Sequence, residues 1–256
     1  MKSQLKKFSS IVFTGMAIVF SFTGCDNSSK KDLIIAAAGN LNFVMPQLVA
    51  EYKKQNENEC QLVFGSSGKL FTQIKSGAPY DIYLSADTAF PNELYKAGLT
   101  EGGLTVFTKG RLALWSNIPI TESIYDLLNR KDIQHIGVGN PKTAPYGGPT
   151  LLYLRSLGNI YSKIEKRIMY GESVSQVNQF VLSKSVEVGF TSLSSIIAAN
   201  LEDEQYWREI PANLYPELFQ GVVVLKSSKR KEEAIKFVEF LKSEEAQAIL
   251  KNNGYQ

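Results

Sequence analysis

Two short segments rich in glycine, serine and asparagine each follow an apolar run and each precede a helical pattern. They are residues 36–41 (AAAGNL) and 65–70 (GSSGKL). A strand that leads directly into a helix leaves the first backbone N–H groups of that helix unpaired, and the positive end of the helix dipole favours negative charge there. The repetition predicts one anion held by two helix starts.

The side chains of both segments agree with an anion site. Both contain uncharged hydrogen-bond donors: Asn40, Ser66 and Ser67. Three glycines are expected to let an oxyanion approach the main chain closely: Gly39, Gly65 and Gly68. The sequence argues against a nucleotide-binding P-loop, because Val63 and Leu70 stand where that motif needs a glycine and a hydroxyl residue. Either segment alone also fits a capped helix start without a ligand.

Strand-like runs alternate with helical patterns from residue 33 onward. The first pairs are 33–37 with 43–54, 61–64 with 70–75, and 82–84 with 89–97. Alternation at this spacing predicts βαβ units and a mostly parallel sheet. Asp87 is expected to cap the third of these helices at its start, and Gly98 to end it.

A second series of patterns follows the extended stretch 104–115. Its members are 121–128, 133–138, 149–157, 174–182, 186–190 and 193–200. The series predicts a second α/β lobe, after which a strand at 220–225 and one amphipathic helix at 231–250 return to the first lobe.

The chain therefore divides into two predicted lobes with a cleft between them. Lobe 1 comprises residues 32–108 and 219–256, and lobe 2 comprises residues 109–218. Two crossings, near 105–115 and 213–222, form a two-segment hinge. Closure of such a hinge around a ligand is the expected motion.

The first 25 residues predict an export signal. Three lysines precede an apolar stretch at 11–22 that is too short to span a bilayer comfortably. Residues 22–25 (FTGC) resemble the bacterial lipobox, which implies a lipid-modified Cys25 as the first mature residue and a linker at 26–31. Asp26 resembles the inner-membrane retention signal of Gram-negative lipoproteins. We expect a lipid-anchored protein in the periplasm or at the cell surface; ordinary cleavage and an uncleaved anchor are the alternatives.

Composition argues against several function classes. Residues 1–25 carry three of the 28 lysines and arginines and no acid, so their removal leaves 25 basic and 25 acidic residues. A net charge of zero provides no field for nucleic acid. His135 is the single histidine and lies in a strand-like run, with no spacing typical of a metal site. A Ser-His-acid triad would have to use His135, and no G-x-S-x-G motif is present.

The second lobe offers two more candidate segments. Residues 139–149 (GNPKTAPYGGP) form a loop in which Tyr146 is expected to place a phenolic donor at the mouth of the cleft. Residues 171–175 (GESVS) precede a helical pattern, so the backbone N–H of Val174 is a further donor. A packed turn residue is the alternative for Tyr146.

Together these segments resemble the ModA family, the molybdate-binding proteins of bacterial ABC importers. The resemblance covers nearly all of the mature chain and depends on five segments: 36–41, 65–68, 76–87 (SGAPYDIYLSAD), 140–147 and 188–194 (VGFTSLS). It implies a two-lobed type II periplasmic-binding-protein fold and a molybdate or tungstate ligand held by neutral donors. It also implies an ABC permease as partner, a monomer, no enzymatic activity, no cofactor, and metal bound only as the oxyanion.

The resemblance carries over to individual residues. It implies that the ligand is held by Gly39, Asn40, Ser67, Tyr146 and the backbone N–H of Val174, with Ser66 and Ser192 as secondary candidates. Two positions depart from the family pattern. Some members have a ligand-binding tyrosine where this chain has Ser192, whereas another branch supplies it from the loop that contains Tyr146. Several members have serine in place of Asn40.

Neutral donors suit this ligand because molybdate and tungstate are fully deprotonated dianions near neutral pH. A site without acceptors penalises a protonated phosphate, whose hydroxyl finds no partner. Sulfate, another oxyanion or a small organic acid stays open as an alternative, and an organic acid would favour an arginine clamp, for which Arg111 and Arg155 are the candidates. An exported serine hydrolase that uses Ser67 or Ser192 is the alternative from another class.

Overall fold

The computed structural model describes residues 32–56 and 58–256. The predicted signal segment, Cys25 and the linker up to residue 31 lie outside the described residues. Within the described part, no helix has the length and apolar character needed to cross a membrane.

The first of two mixed sheets has five strands in the order β2-β1-β3-β10-β4. Their bounds are β1 Leu33–Ala38, β2 Cys60–Gly65, β3 Ile82–Ser85, β4 Thr100–Gly110 and β10 Leu218–Leu225. Strand β1 pairs in parallel with β2 and β3, and β10 pairs antiparallel with β3 and β4. The helices of this lobe are α1 Met45–Lys53, α2 Ser67–Lys75, α3 Ala89–Lys96, α9 Lys231–Phe240 and α10 Glu244–Asn252.

The second sheet also has five strands, in the order β7-β6-β8-β5-β9. Their bounds are β5 Leu112–Ser116, β6 Ile136–Gly139, β7 Ile168–Gly171, β8 Val188–Ser192 and β9 Trp207–Glu209. Strand β6 is parallel to β7 and β8, whereas β5 is antiparallel to β8 and β9. Its helices are α4 Ile124–Asn129, α5 Gly147–Ser156, α6 Asn159–Ile164, α7 Val174–Leu182 and α8 Leu193–Ala198.

The chain passes between the sheets twice. Arg111 alone separates β4 from β5, and the return segment lies between β9 and β10. Arg111 lies within the predicted connection 105–115, whereas the return segment, residues 210–217, only overlaps the predicted connection 213–222. The α/β fold class and its two sheets with flanking helices are confirmed.

The predicted single helix at 231–250 is wrong, because the structure has two helices there. Helix α9 ends at Phe240 and α10 begins at Glu244. The Ser243 hydroxyl accepts a hydrogen bond from the Ala246 N–H at 3.2 Å and so caps a new helix. A hydroxyl that satisfies an N–H in the first turn favours a helix start at this point. Because the apolar periodicity continues across the break between α9 and α10, the sequence pattern does not reveal that break.

The predicted ends of α3 agree with the local geometry. The Asp87 carboxylate accepts from the Phe90 N–H at 3.2 Å. Gly98 has a φ of +69° just beyond the helix, a conformation that glycine adopts without strain. Helix α3 therefore begins and ends near the residues that the sequence indicated.

Candidate functional site

A small cavity lies at the carboxyl ends of parallel strands from both sheets. It encloses about 200 Å³ of empty space, which includes its opening to solvent. Its lining residues are Ala38, Gly39, Asn40, Ser66, Ser67, Ala86, Ala144, Pro145, Tyr146, Ser173 and Val174. The centre of a water-sized molecule has only about 10 Å³ in which to move there, so the cavity suits a ligand of very few atoms.

Four helical segments begin at this cavity, two from each lobe. Lobe 1 contributes the 3-10 turn Gly39–Leu41, directly after β1, and the start of α2. Lobe 2 contributes the starts of α5 and α7. The first N–H groups of a helix have no partner within the helix and carry partial positive charge. The four starts together make the cavity favourable for an anion.

Ser67 presents a hydroxyl whose proton is free to point into the cavity. Its side chain is 1% exposed, and its Oγ accepts a hydrogen bond from the Ala86 N–H at 3.1 Å. Because that bond uses a lone pair, the hydroxyl keeps its own proton for another acceptor. The neighbouring Ser66 caps α2, since its Oγ accepts from the Lys69 N–H at 3.3 Å. Its proton is likewise available.

The side-chain nitrogen of Asn40 forms hydrogen bonds within the protein. The Nδ2 atom donates to Gln220 Oε1 at 3.1 Å and to the Tyr255 hydroxyl at 3.4 Å. Both partners are buried, Gln220 completely and Tyr255 at 2% exposure. From the sequence, the side-chain amide of Asn40 was expected to donate to the anion. In the structure its Nδ2 protons are already used, so the backbone N–H is the donor of Asn40 that remains for a ligand.

Tyr146 does not place its hydroxyl at the mouth of the cleft, as the sequence led us to expect. The side chain is 1% exposed, and its hydroxyl accepts from Gln220 Nε2 at 3.4 Å. A Cβ atom on Gly110 would lie 2.1 Å from that hydroxyl, so the glycine provides the space that the phenol fills. Burial raises the pKa of Tyr146, which keeps the hydroxyl protonated and able to donate.

Val174 lies at the cavity as predicted, and Ser192 does not. Val174 is the first residue of α7, whose cap is the Ser173 hydroxyl, bonded to the Gln176 N–H at 3.2 Å. The Val174 N–H is therefore one of the unpaired N–H groups at this helix start. Ser192 is completely buried, caps α8 and bonds to the hydroxyls of Ser194 and Ser195, each at 2.9 Å.

Two of the three glycines make room for the opposite lobe. A Cβ on Gly39 would lie 2.8 Å from Ser175 Oγ, and a Cβ on Gly68 would lie 2.9 Å from the Thr143 Cα. Both of those neighbours belong to lobe 2. Gly65 is crowded instead by Leu70 of its own segment, at 3.1 Å. At Gly39 and Gly68 the missing side chain lets the two lobes approach each other.

The lining residues include no acid, lysine, arginine or histidine. Arg111 forms a two-point ion pair with Glu209, with 2.7 Å between Nε and Oε1. Arg155 lies over the Tyr161 ring, 5.7 Å from its centroid. Neither arginine lines the cavity to clamp a carboxylate. Within the described part of the chain, no cluster of three or more histidine, cysteine or acidic side chains could hold a metal ion.

A serine hydrolase has no general base here. His135 is exposed, and its backbone N–H donates to Glu187 Oε2 at 2.7 Å. The hydroxyls of Ser67 and Ser192 have backbone and serine partners rather than an imidazole. Without a base within hydrogen-bond reach, neither serine has the means of activation that a hydrolase nucleophile needs.

Two residues that hold the Asn40 side chain, Gln220 and Tyr255, are not among those predicted from the sequence. Gln220 is the one polar side chain in the otherwise apolar strand β10 (LFQGVVVL). A polar residue within a buried strand needs a hydrogen-bond partner. Gln220 could therefore have been recognised from the sequence as a residue that binds another buried polar group. Tyr255, next to the last residue, stands outside any periodic pattern and gave no comparable signal.

Comparisons with known proteins show which proteins the chain is similar to. Residues 33–256 match the family model described as bacterial extracellular solute-binding protein. The chain is 30% identical over 225 residues to the molybdate-binding protein ModA of Rhodobacter capsulatus, covering 88% of each chain. It is 24% identical over 262 residues to YvgL of Bacillus subtilis, named provisionally as an ABC transporter substrate-binding lipoprotein, covering 98% of each.

Among solved structures, the periplasmic molybdate-binding protein of Azotobacter vinelandii is similar throughout. The TM-score is 0.82 at 32% sequence identity, and the match covers 88% of this chain and 99% of that one.

Proposed function

Because the chain belongs to the ModA family of bacterial extracellular solute-binding proteins, we propose that it captures molybdate or tungstate outside the cytoplasm. The named relatives in Rhodobacter and Azotobacter bind molybdate. The protein is a solute-binding protein and not an enzyme. The ligand residues that we propose are Gly39, Asn40, Ser67, Tyr146 and Val174, with Ser66 as a further donor.

One observation carries this proposal: residues predicted from four separate segments line one small cavity that has no ionised side chain. Its donors are hydroxyl and backbone N–H groups at four helix starts. A fully deprotonated dianion needs only donors, so it can be satisfied at every oxygen. A protonated phosphate would leave its own hydroxyl unpaired, at a cost of about 1 to 3 kcal/mol.

Delivery to an ABC permease follows from the proposed role. A small cavity between two lobes encloses its ligand, which must then be released to a partner at the membrane. The Bacillus relative is named as an ABC transporter component and as a lipoprotein. We propose the same arrangement here, with residues 1–25 as export signal, Cys25 as the lipid-modified residue, and a monomer held at the outer face of the membrane.

A competition titration tests the ligand. Calorimetry on residues 26–256 with molybdate, tungstate, sulfate and phosphate should give tight binding of the first two and weak or no binding of phosphate. Tight binding of a different solute, with neither molybdate nor tungstate bound, would refute the proposal. Tight sulfate binding would show that cavity size does not separate the shorter S–O bonds from the longer Mo–O bonds.

Metabolic labelling tests the anchor. A palmitate label should be incorporated into the full-length chain expressed in a bacterium and should be lost in Cys25→Ala. Equal labelling of both chains would contradict lipidation at Cys25, without bearing on the ligand.

A further inference from the structure

The side-chain amide of Gln220 bonds to one proposed ligand residue from each lobe. Its Oε1 accepts from Asn40 Nδ2 at 3.1 Å, and its Nε2 donates to the Tyr146 hydroxyl at 3.4 Å. All three side chains are buried, that of Gln220 completely. Gln220 does not itself line the cavity, whereas Asn40 and Tyr146 do. It can therefore act on the ligand only through these two residues.

Gly110 provides the space in which Gln220 and Tyr146 meet. A Cβ atom there would lie 2.1 Å from the Tyr146 hydroxyl and 2.8 Å from Gln220 Nε2. Gly110 is the last residue of β4 and Gln220 the third residue of β10. The contact between the two side chains thus lies beside both crossings of the chain from one lobe to the other.

Tyr255 sets the direction of these hydrogen bonds. Its hydroxyl donates its only proton to the Asn40 carbonyl at 2.7 Å, so it can only accept from the Asn40 side chain, which it does from Nδ2 at 3.4 Å. Because the same Nδ2 faces Gln220 Oε1, the Nε2 end of the Gln220 amide is left for Tyr146. Nε2 can only donate, so the Tyr146 oxygen accepts and keeps its own proton.

Asn40 Oδ1 is buried and has no hydrogen-bond partner among the described residues. Turning the Asn40 and Gln220 amides round together would give this oxygen the Gln220 Nε2 donor. It would also set Oδ1 against the Tyr255 hydroxyl, whose proton is already used, and would give the Tyr146 proton to Gln220 Oε1. The observed arrangement leaves one acceptor unpaired and leaves the Tyr146 proton uncommitted.

We propose that Gln220 is a positioning residue for oxyanion binding, whose amide donates to the Tyr146 hydroxyl and so keeps the phenolic proton for the ligand. This role requires a neutral amide. A carboxylate in the same place would offer only acceptors and would take the proton that the ligand needs. The inference rests on the proposed function, in which Tyr146 is a ligand residue.

Gln220→Glu tests the role of the amide, because the two protonation states of the new side chain act in opposite ways. As a neutral acid it can accept from Asn40 and donate to Tyr146, as the amide does. As a carboxylate it accepts from both, and the Tyr146 proton turns away from the ligand. Burial raises the pKa of a glutamate, to about 8 or 9 in the most buried cases. Molybdate affinity of this variant should therefore be near that of the wild type at pH 6 and should fall by pH 9.

The groups that surround Gln220 are also present in the wild type, so the wild-type pH profile accounts for their contribution. Burial raises the pKa of the three tyrosines at this place, which therefore stay neutral up to pH 9: Tyr146, Tyr215 and Tyr255. The charged groups on the adjoining segments are Lys109, Glu217 and the terminal carboxylate of Gln256. A difference between the two profiles belongs to the new carboxyl group.

A double-mutant cycle separates capture of the Tyr146 proton from simple charge repulsion. Calorimetry at pH 9 gives the dissociation constant of molybdate for the wild type, Gln220→Glu, Tyr146→Phe and the double variant. Tyr146→Phe should lower the affinity about tenfold or more in the wild type, the factor for one hydrogen bond to a charged ligand. In the Gln220→Glu background the same substitution should cost less than about twofold, because the proton is already lost to the ligand. Repulsion alone would leave the two factors equal.

Gln73 provides the matched control, because its Oε1 also bonds to a tyrosine, accepting from the Tyr80 hydroxyl at 2.9 Å. Neither of these residues lines the cavity. Gln73→Glu should bind molybdate as the wild type does at pH 6 and at pH 9. Thermal melts without ligand at both pH values report on folding.

Should Gln220→Glu be unfolded at pH 9, Gln220→Met decides. Methionine removes the donor that orients the Tyr146 hydroxyl, so molybdate affinity should fall about threefold or more. If Tyr146 instead donates to Gln220 in the wild type, this substitution releases the phenolic proton, and the affinity stays equal or rises. The sign of the change therefore distinguishes the two directions of the hydrogen bond.

Three results overturn the inference: an equal cost of Tyr146→Phe in both backgrounds, a Gln220→Glu affinity that does not fall from pH 6 to pH 9 relative to the wild type, or an affinity of Gln220→Met that is unchanged or higher. Failure of the proposed function looks different. If the wild type binds neither molybdate nor tungstate, the function is wrong and the inference falls with it. If the wild type binds molybdate tightly and the variants give one of the three results, only the inference is wrong.

Discussion

The backbone N–H of Gly68 donates to the carbonyl of Thr143 at 3.0 Å. This hydrogen bond joins the first turn of α2 in lobe 1 to the loop after β6 in lobe 2, one residue from Ser67. A Cβ on Gly68 would lie 2.9 Å from the Thr143 Cα and 3.2 Å from the Lys142 carbonyl oxygen. The two lobes therefore meet, backbone against backbone, directly beside the ligand cavity.

Gly68→Ala should weaken oxyanion binding by about 10- to 100-fold, since overpacking of a close contact costs about 1 to 3 kcal/mol. The added methyl group opposes approach of the lobes, but alanine favours the helix by about 1 kcal/mol. The melting temperature without ligand should therefore not fall. Titration measures the affinity for the oxyanion, and a thermal melt without ligand measures the melting temperature. Gly148→Ala is the control, because a Cβ there meets no atom within 4 Å. Equal affinity in Gly68→Ala and wild type would contradict close lobe contact.

Ser67→Ala should cost about 1 to 3 kcal/mol of binding free energy, through the loss of one hydrogen bond to a charged ligand. The control is Ser76→Ala, directly after the last residue of the same helix, whose exposed hydroxyl donates to the Thr72 carbonyl at 3.0 Å. Calorimetry with molybdate gives both values. An affinity equal to that of the control would remove Ser67 from the ligand contacts.

Gly110→Ala should lower the free energy of unfolding by about 1 to 3 kcal/mol, because its methyl group overlaps the Tyr146 hydroxyl. Combining it with Tyr146→Phe should recover part of that loss, since the nearest remaining ring atom, Cζ, is 3.0 Å from the Cβ position. Urea unfolding of both single variants and the double variant yields the coupling energy. Gly103→Ala, on the same strand with no neighbour within 4 Å, is the control. If the two substitutions change the free energy of unfolding in a strictly additive way, the predicted contact between residue 110 and the Tyr146 hydroxyl is contradicted.

Binding should be independent of pH from about pH 6 to 9, because Tyr146 is the one titratable side chain that lines the cavity. Burial raises the pKa of both Tyr146 and Tyr255, so the folded protein favours their neutral, donating forms. Their contribution to stability is complete below about pH 10, the pKa of an unfolded tyrosine, and is lost as the pH rises further. Dissociation constants and unfolding midpoints measured across this range check both statements. A change in the dissociation constant between pH 6 and pH 7 would instead indicate a histidine or carboxylate at the ligand.

Local chemistry made much of the site predictable. A small, polar segment after a strand marks a helix start at residues 38–41, 65–68 and 171–175 alike, and the parallel strands bring these starts to one edge of each sheet. Local periodicity was less reliable where a single cap interrupts it, as at Ser243 between α9 and α10. Most residues that line the cavity were thus readable as separate segments of sequence.

Contacts between distant residues were decided only by the tertiary structure. Asn40 lies 180 residues from Gln220 and 215 from Tyr255, yet these two partners bind its side-chain amide and so leave its backbone to the cavity. The sequence by itself determined the strands, the helix starts and the neutral donors, because those depend on neighbours along the chain. Packing of the two lobes decided where each donor points and which glycines make room for the opposite lobe, because such contacts form only when distant segments are brought together.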